Sequence, residues 1–242
     1  MKELLTPIKS ESLVDVFISR FESLILSGKL SIGEKLPSER ELALQLGVSR
    51  PVVHEGLLDL ASKGLVSIIP RVGTVVNDYR KEGSLALLTS LVNYHNGKLE
   101  PKIFESLLRM RFLFEMETAR LAARNRTEEQ LEDFKEILRE EESVDLYNTE
   151  RIAEIDFTFH HLIAMSTGNV IYPLLINSFK QVYINLTGQF FSMTEMSPQV
   201  FTFHRNLVGS IEQRDEELAV NIMKNTLDHG EKFLKVLIDY NL

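Results

Sequence analysis

The sequence predicts a mainly α chain in two parts: an N-terminal winged helix-turn-helix domain, then an antiparallel α-helical bundle. Three observations predict it. The first 80 residues read helix, helix, tight turn, helix, hairpin. From Pro101 onward, apolar residues recur at helical spacing, with no alternating β-branched run. Charge divides at nearly the same place. Residues 1–80 hold ten basic and ten acidic groups, and the remainder holds 17 basic and 25 acidic. The net charge of -8 therefore belongs to the second part, and the first is free to carry a local basic surface.

Each element has a local cause. Leu13, Val14, Phe17, Ile18, Phe21, Leu24 and Ile25 share one helix face, and Gly28 stops it. Ser38-Glu39-Arg40-Glu41 is a capping box: the Ser oxygen accepts a first-turn amide, and Glu41 answers back to the cap. That helix ends at Gly47. Ser49 is expected to cap the next, with Pro51 in its first turn, where a missing N–H leaves nothing unsatisfied. This helix closes at Lys63-Gly64. Two β-rich runs follow, Leu65–Ile69 and Thr74–Asn77, around the turn Pro70-Arg71-Val72-Gly73. A linking helix is expected from Ser84 to Tyr94, stopped by Asn96-Gly97. Six helices are expected beyond it: Lys102–Arg124, Thr127–Glu142, Thr149–Ser166, Val170–Ser192, Ser197–Gln213 and Asp215–Tyr240. The domain boundaries read 1–79 for the winged part, 80–100 for the linking helix and 101–242 for the bundle.

Composition excludes several classes. With 242 residues, 44% of them apolar and 26% charged, the chain has material for a core and is not a disordered polymer. The absence of cysteine excludes disulfides, zinc–thiolate fingers, iron–sulfur clusters and thiol chemistry. No run approaches the ~18 apolar residues of a membrane helix. The opening Met1–Leu5 lacks the apolar core and small-residue cleavage site of a secretory leader. The expectation is a cytoplasmic protein that does not engage membranes.

A helix presented N-terminus first fits the major groove, its early residues meeting base edges while basic groups hold phosphates. Here that helix starts Ser49-Arg50-Pro51-Val52-Val53-His54. Arg50 is placed to read guanine through two parallel donors. Arg40, at the start of the preceding helix, suits a phosphate. Arg71, at the wing tip, suits a phosphate or the minor groove. Periodicity alone describes equally well three solvated arginines on a helical scaffold. The words are more specific. Gly33-Glu34-Lys35-Leu36-Pro37-Ser38-Glu39-Arg40-Glu41-Leu42-Ala43, then Leu46-Gly47-Val48-Ser49-Arg50, Glu55-Gly56-Leu57, Leu60-Ala61, Gly64-Leu65-Val66 and Arg71-Val72-Gly73-Thr74-Val75-Val76 closely resemble the N-terminal domain of GntR-family bacterial transcription regulators. The resemblance covers about residues 11–77. It implies a homodimer on double-stranded operator DNA, contacted by Arg40, Ser49, Arg50 and the wing from Arg71 to Gly73. His54 stands where the family usually has Arg, which implies a weaker or different contact there.

In the second part, Asp156 and His160 lie four apart on a helix whose buried stripe is Ile152, Ile155, Phe159 and Ile163. Both border that stripe, while His161 points away and reads as solvated. His204 shares a face with Leu207, Val208 and Ile211 and looks into the core. An Asp and two inward His from two helices are either a hydrogen-bonded polar cluster or three ligands of a divalent ion. Arg111-x3-Glu115-x3-Ala119, Leu121-Ala122-Ala123, Asp156-Phe157-Thr158-Phe159-His160, Gly168-Asn169, and His204 with Asp215 eleven residues on resemble the all-helical effector domain, called FCD, of the FadR-type branch of those regulators. Over about residues 101–240, that resemblance implies a divalent metal held by Asp156, His160 and His204, with zinc, nickel or manganese as candidates. It implies no organic cofactor. It also implies a small carboxylate effector received by Arg111, which sits in an apolar stripe and could instead simply pair with Glu115. The family's fourth ligand position falls on Thr226. His229, one turn later, is the replacement candidate, and a three-ligand site is the other option. Two further readings remain: a metal-free regulator responding to fatty acyl-CoA, as in other members of the branch, and, more remotely, a metal-dependent hydrolase. The last lacks a His-Glu-x-x-His or similar motif to supply a base.

Overall fold

The computed structural model describes residues 12–94 and 101–239. The chain divides into two compact units, Met1–Lys98 and Leu99–Leu242. The expected Asn96-Gly97 stop, the first eleven residues and Tyr240 lie outside the described residues. No described helix is long and apolar enough to cross a membrane.

The first unit is built as its local signals predict. Helix α1 (Leu13–Leu26) is capped by Ser12. Helix α2 (Glu39–Leu46) carries the full Ser38/Glu41 capping box and ends at Gly47, whose φ of 67° is the left-handed cap that favours glycine. Helix α3 (Arg50–Ser62) packs across α1 and α2. Gly56 permits that crossing: a β-carbon there would sit 2.2 Å from Phe17 Cδ1. Strands β1 (Val66–Ile69) and β2 (Gly73–Val76) pair antiparallel in the register Val66↔Val76 to Ile69↔Gly73. Residues 33–36 flank β2 as well, through Leu36 N–H to Thr74 O and Val76 N–H to Glu34 O, so the Gly33–Leu36 loop serves as a partial third strand of the wing. Helices α4 (Tyr79–Glu82) and α5 (Leu87–Tyr94) follow, and α5 lies on α1.

One expectation here needs correcting. Ser49 holds the N-cap position of α3 with extended backbone, but its side chain makes no capping hydrogen bond. Pro51 at the second helical position has no N–H, which removes one of the two amides a capping side chain can accept from.

The second unit is all helix: α6 (Pro101–Asn125), α7 (Glu128–Ser143), α8 (Thr149–Met165), α9 (Tyr172–Ser178), α10 (Lys180–Phe191), α11 (Ser197–Glu212) and α12 (Glu216–Asp239), with a short 3-10 turn at Thr194–Met196. The Thr127/Gln130 capping box opens α7. Helix α8 is central and packs on α6, α7, α9 and α10. Its stripe of Ile152, Ile155, Phe159 and Ile163 is at most 2% exposed. Each such side chain contributes about 1.5–3 kcal/mol by leaving water. Helix α12 packs along α6 and α11, adding Ala219, Met223 and Leu227 to the core. The single helix expected over Val170–Ser192 is two helices. Phe179, at φ -98° and ψ 0°, ends α9 and opens α10, and no Pro or Gly marks the break.

Candidate functional site

On the first unit, Arg40, Ser49, Arg50, His54 and Arg71 are all exposed. Arg50 and His54 sit one turn apart on α3, so their side chains share a face. Glu39, the first residue of α2, joins them: His54 Nδ1 lies 2.8 Å from Glu39 Oε1, and Arg50 Nη2 lies 3.7 Å from Glu39 Oε2. Arg71 occupies the tip of the hairpin with φ of 65°, a left-handed backbone unusual for a side chain of its size. Gly73, φ 117°, follows it and lies against the Lys35 side chain. The sequence singled out every one of these residues except Glu39, whose part as a tether depends on how α2 crosses α3.

The second unit buries a polar cluster where five helices meet. Asp156 and His160 from α8 and His204 from α11 are each at most 4% exposed. Among the described residues they form one group of potential metal ligands, with one ligating atom of each within 4.8 Å of the others. Around them stand groups the sequence did not single out together. His204 Nδ1 lies 2.5 Å from Glu141 Oε1 on α7. His160 Nδ1 lies 2.6 Å from Glu115 Oε2 on α6, close enough for an ion pair but without hydrogen-bond alignment. Tyr183 on α10 donates its hydroxyl to Asp156 Oδ2 at 2.7 Å. The His204 ring stacks on Phe159 at 3.8 Å, which fixes its plane. His204 Nε2 is left buried without a hydrogen bond, 3.6 Å from Asp156 Oδ1.

Arg111 makes the pair with Glu115 that was one of the two readings of it. Its Nε donates to Glu115 Oε1 at 2.5 Å, and its guanidinium lies over the Tyr183 ring at 4.6 Å. It also lines a cavity of about 40 Å³ with Asp156, Thr187, Thr226 and the apolar Phe112 and Phe190. Burial works against the charge on Glu115, but Arg111 and His160 outweigh it and hold its carboxyl down to about 2. Burial likewise opposes protonation of His160, and Glu115 and Asp156 outweigh it, raising the imidazole above its ordinary value. Burial, with Asp156 beside it, lifts the Tyr183 phenol well above its usual range.

Two sequence expectations fall elsewhere. His229 is not in the convergent group. Its ring packs among Phe190, Phe203 and Phe233, and burial lowers its pKa. The reason is angular: Thr226, one turn earlier, takes the inward face of α12 and reaches the cavity, its hydroxyl donating to Ile222 O. His161 is half-buried rather than solvated, its ring stacked on Phe157.

The donor set fits a divalent cation by two criteria. The first is charge. Glu115, Glu141 and Asp156 are buried carboxylates, and Arg111 is the permanent cation among them. Three buried carboxylates thus face one guanidinium; the raised His160 imidazole offsets part of that acidity and a divalent cation would offset it too, since uncompensated charge is costly in a low-dielectric interior. The second is orientation. A carboxylate at Nδ1 fixes the proton there and turns Nε2 inward as a lone pair, the arrangement found behind most metal-bound histidines. Glu141 supplies such a carboxylate to His204, whereas Glu115 lies beside Nδ1 of His160 without hydrogen-bond alignment.

Comparison with known proteins gives two family matches. Residues 18–76 match the family described as bacterial regulatory proteins, gntR family, and residues 77–239 match the FadR C-terminal domain. The HTH-type transcriptional regulator Mce2R of Mycobacterium tuberculosis is 35% identical over 182 residues, covering 74% of this chain and 73% of that one. The fatty acid metabolism regulator protein of Shewanella pealeana is 30% identical over 183 residues, 76% of this chain and 74% of that one. Its counterpart in Proteus mirabilis is 28% identical over 200 residues, 83% and 81%. Among solved structures, Lar, which controls expression of the Listeria monocytogenes agr system, aligns with a TM-score of 0.57 at 19% identity, over 93% of this chain and 99% of that one.

Proposed function

This chain belongs to the gntR family of bacterial regulatory proteins, with a FadR C-terminal domain, and from that premise we propose that it is a metal-dependent sensor of a small carboxylate, acting on operator DNA as a homodimer. That it is a DNA-binding transcription regulator follows from the family itself. Its family and relatives are regulators rather than enzymes, which removes the hydrolase reading.

The winged unit docks through α3. Arg50 reads guanine, Arg40 and Arg71 hold phosphates, and the hydroxyl of Ser49, free of any capping bond, is available to the backbone. Two-fold symmetry doubles these contacts on a palindrome. The acidic excess beyond residue 80 keeps the bundle off the phosphates.

The effector reading rests on one observation: Asp156, His160 and His204 converge beside two further buried carboxylates, Glu115 and Glu141, that a divalent cation would help to balance. Those three residues would hold the ion. Zinc, nickel and manganese all accept mixed nitrogen and oxygen ligands. When bound, the ion supplies a Lewis-acidic position open to a carboxylate oxygen. Arg111, at the cavity wall, takes the effector's other oxygen by a charge-assisted hydrogen bond, and Thr226 offers a hydroxyl from α12. The site uses three protein ligands, with Thr226 in place of a fourth.

A metal-free reading has its own support. The match to a FadR C-terminal domain, and two relatives named as regulators of fatty acid metabolism, favour an acyl-CoA effector. Metal analysis of the purified full chain decides between them. The metal reading expects about one divalent ion per chain, a chelator-induced fall in Tm, and its restoration by added metal. It also expects a further rise in Tm with small carboxylates only when metal is present. A metal-free chain indifferent to added divalent ions, but stabilised by acyl-CoA, would establish the other.

A further inference from the structure

Glu39 does more than bridge two helices. It sits at the first position of α2, where the Ser38/Glu41 capping box fixes the backbone. Its two oxygens are divided between two side chains of α3. Oε1 faces His54 Nδ1 at 2.8 Å, and Oε2 faces Arg50 Nη2 at 3.7 Å. His54 and Arg50 remain 56% and 67% exposed, so both project outward beyond this tether. Nothing among the described residues hydrogen-bonds His54 Nε2.

A carboxylate only accepts, so the hydrogen of the 2.8 Å contact belongs to Nδ1. In the neutral imidazole, the hydrogen on one ring nitrogen makes the other an acceptor. Glu39 therefore presents His54 to the outside as a lone pair on Nε2, beside an arginine that only donates. In the major groove, an acceptor finds its partner in an exocyclic amino group, N6 of adenine or N4 of cytosine. The donors of Arg50 find O6 and N7 of guanine.

We propose that His54, held in its Nδ1–H form by Glu39, is a specificity-determining residue that reads an adenine or cytosine amino group in the operator, next to the guanine read by Arg50. The two outward side chains of one helix face thus demand opposite hydrogen-bond characters from neighbouring bases, and Glu39 is the positioning residue that sets the second demand. The inference rests on α3 being the recognition helix.

The test uses the full chain and duplexes selected from a random library, followed by competition among the four base pairs at each position of the selected half-site. Wild type is expected to prefer adenine or cytosine over guanine or thymine, on one strand, at one position near the Arg50 guanine. His54→Ala should flatten that preference by about 5- to 100-fold, leaving the guanine position intact. Glu39→Gln should weaken the same preference, because an amide donates as well as accepts and no longer fixes the ring hydrogen. His54→Arg, which only donates, should shift the position to guanine. All the substituted groups are at least partly exposed, and circular dichroism checks that each variant is folded. If His54→Ala flattens no position while Arg50→Ala blurs a guanine, the inference is overturned and the recognition helix stands. The inference is also overturned if the position sensitive to His54 prefers guanine, because the ring then donates. If Arg50→Ala and His54→Ala both select the wild-type sequence with wild-type affinity, the placement of the recognition helix falls, and the inference with it.

Discussion

The two units place their polar chemistry oppositely. In the winged unit, Arg40, Ser49, Arg50, His54 and Arg71 are exposed on a scaffold whose helices are set by nearby caps and glycines. In the bundle, Glu115, Glu141, Asp156, His160 and His204 are at most 4% exposed and meet from four helices. Exposed groups act on a partner and contribute little to the fold. Buried charges act on one another, so the fold depends on how they are compensated. The comparison teaches that substitutions in the first set should move affinity without stability, and in the second set both together.

The largest effect belongs to the buried set. On the proposed metal reading, a chelator would remove a ligand that binds only the folded state, about 3–4 kcal/mol at saturating metal. In a chain of this size that is a fall in Tm of about 6–15 °C. Asp156→Asn keeps the side chain's shape while deleting a ligand charge. It should carry no metal, show no chelator shift, and retain operator affinity within a factor of about two in the absence of effector. A chelator shift as large in Asp156→Asn as in wild type would place the metal elsewhere.

That contrast also explains what the sequence made legible. The winged unit was readable almost residue by residue because its causes lie within a few positions: Ser38 with Glu41, Gly47 with its left-handed φ, Arg71 in a four-residue turn. In the bundle, Asp156, His160 and His204 could be placed by helical periodicity, since each stands on a strongly apolar face. Their partners could not. Glu141 lies 63 residues from His204 in an acidic run, Glu140–Glu142, that looks like a solvated helix end. Tyr183 lies 27 residues from Asp156, on a helix whose separation from α9 has no Pro or Gly to announce it. The position of His229 was illegible for a related reason: one turn of α12 decides whether a side chain meets the cavity or an aromatic surface, and packing against α6 and α11 sets that angle.

Helix α3 permits the comparison within a single element. Gly56, on its inner face, should not tolerate a β-carbon beside Phe17. Gly56→Ala overpacks the α1–α3 crossing and should destabilise the winged unit by about 1–3 kcal/mol, read from denaturant unfolding. Arg50→Ala, two turns earlier on the outer face, should do the reverse. Its ion pair with Glu39 is long and exposed, so stability should change by no more than about 0.5 kcal/mol. Operator affinity should fall by about 1–3 kcal/mol, with relaxed guanine preference. Were Arg50→Ala to unfold the unit as severely as Gly56→Ala, the separation of surface from scaffold would not hold.

The smallest effect is the sharpest test, because its two parts have opposite signs. Arg71 sits at φ 65°, where a β-carbon costs roughly 1–2 kcal/mol. Glycine removes that cost but restores freedom to the unfolded chain, worth about 0.5–1 kcal/mol against folding. Arg71→Gly should therefore leave the winged unit as stable as wild type or more stable by up to about 1.5 kcal/mol. A cation at the wing tip holding a phosphate predicts the opposite for binding: weaker affinity across all operator sequences, and a salt dependence shallower by about one unit of slope. Unchanged affinity and salt slope in Arg71→Gly would remove the wing tip from the DNA interface and leave its left-handed backbone without a functional reason.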